Sequence, residues 1–320
     1  MNFKSDNSLG SDSDELRHLI LGMRAAYARG ENAMEYARTA GGGIGNSVVA
    51  TLIAYDLQAG SYVAGVRANP EGNSLWCAQL AKILDPLLTK QGSLLEVGCG
   101  EATTLAGVLQ RLTNMPSHAL GLDISWSRCI EGHGWLAEKK LSARLFVADL
   151  FNIPLDDESV DVVYTSHSIE PNGGREEEAV RELLRVARRA VVLIEPIYEL
   201  ASPEAQSRMN HHGYVRGLKE TAERLGADVR DYRLLKYTSN PLNPSGVVLI
   251  EKNRNGGLTG AEAPAWRCPL TYTSLFDIGD AFVSKDSGLA YPVLRGIPLL
   301  RTTHGMVASK LAESTQQHSA

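Results

Sequence analysis

The stretch Ser93-Leu-Leu-Glu-Val-Gly-Cys-Gly-Glu-Ala-Thr-Thr-Leu105 constrains this chain more than any other. Its first five residues are a short, mostly apolar run without proline, which predicts a strand buried on both faces of a parallel sheet. Gly98 and Gly100 then remove side chains where the backbone must turn sharply, and let a bulky ligand lie against it. A helix is expected from about Ala102, with its amide end aimed at the same spot. In an open sheet of this kind the ligand sits at the carboxyl edge of the strands.

Dinucleotide-binding folds use the same strand, turn and helix. Three carboxylates separate the readings. Glu96 lies inside the turn motif, where a site for a pyrophosphate would want no negative charge. Asp123 ends a second predicted strand, His118-Ala-Leu-Gly-Leu-Asp-Ile124, at a spacing that lets a carboxylate accept from both ribose hydroxyls. Asp149 ends a third, residues 144–150, placed to accept from an adenine amino group. Such a set suits a ligand with a ribose, an adenine and a positive charge but no phosphate, and S-adenosylmethionine fits.

Four motifs in order, Leu95-Glu-Val-Gly-Cys-Gly, Gly121-Leu-Asp, Val147-Ala-Asp-Leu and Val160-Asp-Val-Val-Tyr-Thr-Ser166, together resemble the class I S-adenosylmethionine-dependent methyltransferases, near the ubiquinone-biosynthesis type. The resemblance covers about residues 75–252. It implies an α/β fold: a Rossmann-like, seven-stranded, mostly parallel sheet with helices on both faces and the last strand antiparallel. It also implies S-adenosylmethionine as cofactor, released as S-adenosylhomocysteine. Gly98 and Gly100 would pack under its methionine part, Asp123 would bind the ribose, and Asp149 with the Leu150 amide would read the adenine. Glu96, Cys99, Ile124 and Ser166 complete the cofactor-binding candidates. The family's third glycine is Ala102 here, small enough for helix packing.

With 320 residues, 43% of them hydrophobic and 22% charged, the chain is long enough for one α/β domain with additions or for two domains. A net charge of −5 gives no general attraction to nucleic acid or to an anionic membrane. No apolar run approaches the length of a membrane span, and no basic segment followed by an apolar one opens the chain. Cys77, Cys99, Cys129 and Cys268 show no metal or disulfide spacing, so a cytoplasmic location with reduced thiols is expected.

Composition and breaks divide the chain into a disordered tail (1–14), an N-terminal helical cap (15–90), the methyltransferase-like domain (91–255), a small β-rich module (262–304) and a polar tail (305–320). A helix is expected over 15–39, with a break at Gly30. The glycines of 41–45 have no Gly-Lys-Ser/Thr after them, so they read as a connector. The helix over 47–60 runs into Tyr55-Asp-Leu-Gln-Ala-Gly-Ser-Tyr62, and in similar enzymes such a segment helps shape the acceptor pocket. Tyr55, Gln58 and Tyr62 are therefore substrate-binding candidates, the alternative being half-buried packing groups. Asn73 is expected to cap a helix over 74–83. A helix over 175–189 opens on Glu176, Glu177 and Glu178 and closes on Arg185, Arg188 and Arg189, which complements its dipole. Strands follow at 190–195, 228–237 and 247–252. Ser202-Pro203 opens a helix that Gly213 interrupts, and a second helix is expected over 214–225.

Beyond residue 262, Arg267-Cys-Pro-Leu-Thr-Tyr-Thr-Ser-Leu275 and residues 289–300 resemble the small zinc-ribbon-like activator subunit of tRNA and translation-factor methyltransferases. Thr271 stands where that family has a second cysteine. Cys268 alone cannot build a tetrahedral site, so no metal is expected. A segment this small should dock on the main domain.

For the chemistry the resemblance implies, an acceptor lone pair displaces the methyl group in line, and a hydroxyl acceptor must also lose a proton. His167, Ser168 and Glu170 follow the fourth strand, at the edge where the methyl group should lie. His167 is the first candidate for the base and Glu170 the second; each could instead only brace the loop. His211, His212 and Tyr214 sit at the helix break, as substrate contacts or as an exposed group without a role. Asp156-Asp-Glu158 reads as a solvated turn. The expected function is methylation of a small-molecule or glycan acceptor on oxygen. A tRNA or protein acceptor is the alternative, although Ser166-His-Ser-Ile stands where amino-group enzymes carry Asn/Asp-Pro-Pro-Tyr. A scaffold that binds cofactor without catalysis is a further one. A homodimer is left open.

Overall fold

Strand β1 (Ser93–Val97) is buried at every position, as an apolar run covered on both faces must be. It joins β2 (His118–Asp123), β3 (Arg144–Val147), β4 (Val160–Ser166), β5 (Ala187–Pro196), β6 (Asp228–Leu234) and β7 (Ser245–Glu251) in one sheet of order β3-β2-β1-β4-β5-β7-β6. Strands β1 to β5 pair in parallel, and β7 runs antiparallel to both β5 and β6. This is the Rossmann-like sheet that the four motifs implied. The strand order reverses between β1 and β4, so a crevice opens at their carboxyl ends.

The structure, a computed structural model, describes residues 13–40, 47–252 and 263–314. Residues 1–12 of the tail expected at 1–14, the glycine connector, residues 253–262 and the last six residues lie outside the described residues, and Ser13 and Asp14 of that tail instead open the first helix. Tertiary contacts divide the chain into two units, Met1–Ser61 and Tyr62–Ala320. The first is built from α1 (Ser13–Ala28), α2 (Ala33–Ala40) and α3 (Val48–Leu57), around Met23, Ala33, Ala37, Ala50 and Ala54. Ser47 caps α3 by accepting from the Ala50 amide at 3.1 Å. Tyr55 and Gln58 belong to this unit. No helix among the described residues is long and apolar enough to cross a membrane.

The second unit opens with α4 (Ser61–Ala68) and α5 (Pro70–Leu84) and continues through α6 (Thr103–Leu109), α7 (Trp126–Glu138), α8 (Glu176–Val186), α9 (Pro203–His212) and α10 (Leu218–Arg224). Successive strand residues point to opposite faces, so Leu94 packs with α5, α6 and α7 while Leu95 packs with α8 and α10. Three local expectations need correction. Asn69, not Asn73, caps α5, because Pro70 fixes the first helical φ one turn earlier; Asn73 lies inside the helix against the Cys77 thiol at 3.6 Å. Helix α8 stops at Val186, and Arg188 and Arg189 enter β5, since Ala187 already pairs with Val160. Arg188 there binds Asp161 at 2.9 Å, and Arg185 alone remains in the last helical turn. The helix after Gly213 begins only at Leu218.

The C-terminal segment folds as β8 (Phe276–Asp277), β9 (Ala281–Val283), β10 (Leu289–Leu294), β11 (Ile297–Pro298) and β12 (Met306–Val307), followed by α11 (Ser309–Ser314) where a polar tail was expected. It covers the outer edge of β3: Leu299 bridges Val147 in parallel, and the Leu300 amide donates to the Val147 carbonyl at 2.8 Å. Its Cys268, Leu275, Phe282, Tyr291 and Leu300 lie in the same apolar cluster as β4 and α8. Trp266 stands edge-on between Phe146 at 5.0 Å and Phe282 at 5.1 Å. A chain of hydroxyls, Thr271 to Thr273 at 2.9 Å and Thr273 to Ser284 at 2.6 Å, knits the loops beside Cys268. Among the described residues, no group of three His, Cys, Asp or Glu is arranged to hold a metal.

Candidate functional site

The turn after β1 takes the left-handed conformation at Gly98 (φ 73°) and Gly100 (φ 53°), which glycine adopts without strain. A Cβ on Gly98 would lie 2.2 Å from the Cβ of Ser168, so the bend and the loop after β4 abut with no room for a side chain. Ala102 is also left-handed, at φ 53°. Its departure from glycine is therefore conformational rather than steric, and costs about 1–2 kcal/mol.

Asp123, at the end of β2, turns back onto this bend. Its carboxylate accepts from the Gly100 amide and the Ser125 amide, each at 2.9 Å. Burial pushes the Asp123 carboxyl up, against the opposing pull of those amides and of Arg128. Asp123 is in register with Val147, and its carbonyl accepts from the Ala148 amide at 3.0 Å. Asp149 lies two residues past the end of β3, so the two carboxylates stand at neighbouring strand ends. Asp149 accepts from the Phe151 amide at 2.9 Å in a turn that leaves it half-buried, next to half-buried Leu150. Cys99 donates its amide to the Leu122 carbonyl at 2.8 Å, and Ile124 is half-buried beyond Asp123.

Glu96 has other partners. Its buried carboxylate accepts from the Tyr164 hydroxyl at 2.9 Å, joining β1 to β4, and burial pushes its carboxyl up to about 8. Tyr62 belongs to the glycine turn: a Cβ on Gly100 would lie 3.1 Å from its ring. The Arg128 guanidinium sits 4.6 Å from the ring centroid and donates to the Tyr62 hydroxyl at 3.2 Å. Glu101 holds the start of α4 by accepting from the Val63 amide at 2.7 Å. Arg128 and Glu101 escaped the sequence reading, because nothing local marks a charged helix or loop residue as buried.

Across the crevice, Ser166 closes β4 and His167 follows in a left-handed conformation, φ 58°. Its Nδ1 meets Glu170 Oε2 at 2.5 Å and its Nε2 meets Ser245 Oγ at 2.7 Å, with Trp76 at 5.4 Å between ring centroids. The order of partners resembles a hydrolytic triad, but Ser245 is only 1% exposed at the start of β7, so the serine braces the imidazole. Burial opposes protonation of His167, yet Glu170 outweighs it and holds its pKa above the usual value. Glu170 also accepts from the Asn243 side chain at 3.3 Å, and its carbonyl from the Val215 amide at 3.1 Å. Tyr214 is half-buried near Glu170 and Arg208, whereas His211 and His212 are exposed, His212 stacking on Tyr214 at 5.4 Å. Glu195, at the end of β5, was missed as a site residue. Its signal was present, since it is a carboxylate at a strand's carboxyl end like Asp123.

Residues 94–190, from β1 into β5, match the family model of a methyltransferase domain. Across this stretch the chain is similar to methyltransferase domains. That similarity points to methyl transfer. No curated protein matches the sequence. Among solved structures, a complex between the Haloferax volcanii Trm112 methyltransferase activator and a candidate methyltransferase is 15% identical, with 62% of this chain and 96% of that one covered at a TM-score of 0.47. A geranyl diphosphate C-methyltransferase from Streptomyces coelicolor is 11% identical, with 55% and 79% covered at 0.44. A SAM-dependent methyltransferase from Aquifex aeolicus is 16% identical, with 53% and 87% covered at 0.40. Likenesses this distant bear on neither substrate nor partner.

Proposed function

We propose that the methyltransferase domain passes the methyl group of S-adenosylmethionine to an oxygen of a small-molecule or glycan acceptor. The observation that carries the reading is the pair Asp123 and Asp149 at neighbouring strand ends beside a bend without side chains. Asp123 Oδ2 accepts from the Gly100 amide and Oδ1 from the Ser125 amide, and a carboxylate's four lone-pair positions leave room for a ribose hydroxyl. Asp149, whose Oδ1 accepts from the Phe151 amide, retains capacity for an adenine amino group next to the Leu150 amide. The Ser168 hydroxyl is buried against Gly98 with no hydrogen-bond partner among the described residues, which supports a ligand that supplies one.

When bound, the donor supplies a methyl group already activated by its sulfonium. The chain's own residues hold the acceptor in line, exclude water and accept its proton. Glu170 fixes the His167 ring through Nδ1. Nε2 is held by the buried Ser245 hydroxyl, so for His167 to take an acceptor's proton that serine would first have to turn away from the ring. Because Glu170 raises the proton affinity of His167, transfer to oxygen should increase as pH rises through a value above 6.5. Tyr214 and Trp76 supply aromatic surface beside Glu170 and His167.

The test is calorimetric titration with S-adenosylmethionine, followed by label transfer from methyl-labelled donor to sugar and phenol acceptors. Asp123→Ala should weaken donor binding at least about tenfold, and His167→Ala should abolish labelling. Full donor affinity in Asp123→Ala, or labelling confined to RNA or protein, would overturn the reading.

A further inference from the structure

We infer that Glu195 is a positioning residue for this reaction: its carboxylate fixes the backbone of residues 168–170, and thereby where Ser168 and Glu170 stand against the glycine turn. The inference rests on the reading of the site given above.

Three consecutive amides converge on this one side chain. Oε1 accepts from Ser168 at 3.1 Å and from Ile169 at 3.2 Å, and Oε2 accepts from Glu170 at 3.1 Å. Successive amides aimed at one point make an anion-binding concavity, here filled by the protein's own carboxylate. Glu195 is wholly buried, and burial, with the nearby Glu170 charge adding to it, pushes its carboxyl up to about 7 against the opposing pull of His167, Thr165 and the Ile169 amide. An apolar residue at that strand end would avoid the desolvation cost. The three amides and the neighbouring His167 imidazole offset it, and in return the loop has a single backbone course.

That course matters because the loop has no slack. Ser168 lies against Gly98 so closely that a Cβ there would meet it at 2.2 Å. His167, one residue before the anchored amides, holds a left-handed conformation that an unanchored non-glycine residue seldom keeps. Its amide donates to the Ile194 carbonyl at 2.9 Å, immediately before Glu195. Strand β5 therefore sets the loop through both a backbone and a side-chain contact. Glu170 then orients His167, so a shift of the anchor moves both groups that face the acceptor. A displacement of about 1 Å in such a group can cost on the order of a hundredfold in rate.

The experiment is amide hydrogen exchange on the full chain, wild type and Glu195→Gln, with parallel titration of S-adenosylhomocysteine. In the wild type, the amides of Ser168, Ile169 and Glu170 should exchange as slowly as those of β1, although they lie outside any strand. In Glu195→Gln, which leaves one accepting oxygen for three donors, they should exchange at least a hundredfold faster while β1 and β4 stay protected. Affinity for S-adenosylhomocysteine should fall at least tenfold. Fast exchange of the three amides in the wild type, or unchanged exchange and affinity in the variant, would overturn the inference; the first of these needs no variant to fold. Failure of the wild type to bind S-adenosylhomocysteine would instead strike the proposed function, and leave the exchange pattern to judge Glu195.

Discussion

The Gly100 amide donates to the Asp123 carboxylate at 2.9 Å, tying the bend after β1 to the end of β2 across 23 residues of sequence. The side chain proposed to bind the ribose is therefore also a strut of the glycine turn. A substitution there acts on fold and binding together.

Asp123 and Asp149 should consequently separate in their effects. Asp123→Ala leaves the Gly100 and Ser125 amides without their acceptor, at about 1–3 kcal/mol for each buried group. Asp149→Ala frees only the Phe151 amide at a half-buried site, and should cost less than about 1 kcal/mol. Both should weaken S-adenosylmethionine binding. Thermal unfolding alongside calorimetry checks this, and equal stability losses would contradict it.

Gly98→Ala should be far more damaging than Gly174→Ala. Both glycines have positive φ, 73° and 90°, so both variants carry backbone strain. Only at Gly98 does the new methyl meet a neighbour, Ser168, whereas nothing lies within 4 Å of a Cβ on Gly174. The steric part should add about 1–3 kcal/mol and abolish donor binding, read by denaturant unfolding and titration. Comparable losses in the two variants would remove the close contact as the cause.

Glu96 predicts a pH dependence of stability. Its folded carboxyl is pushed from 4.5 to about 8 by burial, so above pH 4.5 the folded chain retains a proton that the unfolded chain has released. Its contribution to stability should thus fall as pH rises from 4.5 and level off above about 8. Glu96→Gln, which keeps an acceptor for Tyr164 and cannot ionise, should flatten that part of the curve. Urea midpoints of both proteins between these limits make the comparison, and parallel curves would refute it.

Leu300 tests whether the C-terminal strands are an appendage. Its side chain is wholly buried in the cluster shared with β4 and α8. Leu300→Ala should cost about 2–5 kcal/mol and lower one cooperative transition. Calorimetry showing a separate, earlier melting of these strands, with the main transition unmoved, would count against a shared core.

The sequence by itself determined the parts that depend on a few neighbouring residues. The strand, glycine turn and helix at residues 93–109, the Ser202-Pro203 helix start and the Gly213 stop follow from local φ preferences and from side chains that reach only their own backbone. The four ordered motifs carried the sheet. Tertiary structure alone decided which distant group satisfies each buried polar atom. His167 is held by Ser245, 78 residues away, as well as by Glu170. Glu195 serves a loop some 25 residues earlier, Tyr62 covers Gly100 beside Arg128, and Leu300 closes the edge of β3. Burial makes an unsatisfied donor or carboxylate costly, so these pairings are fixed by the packing of remote segments, and spacing along the chain does not encode them.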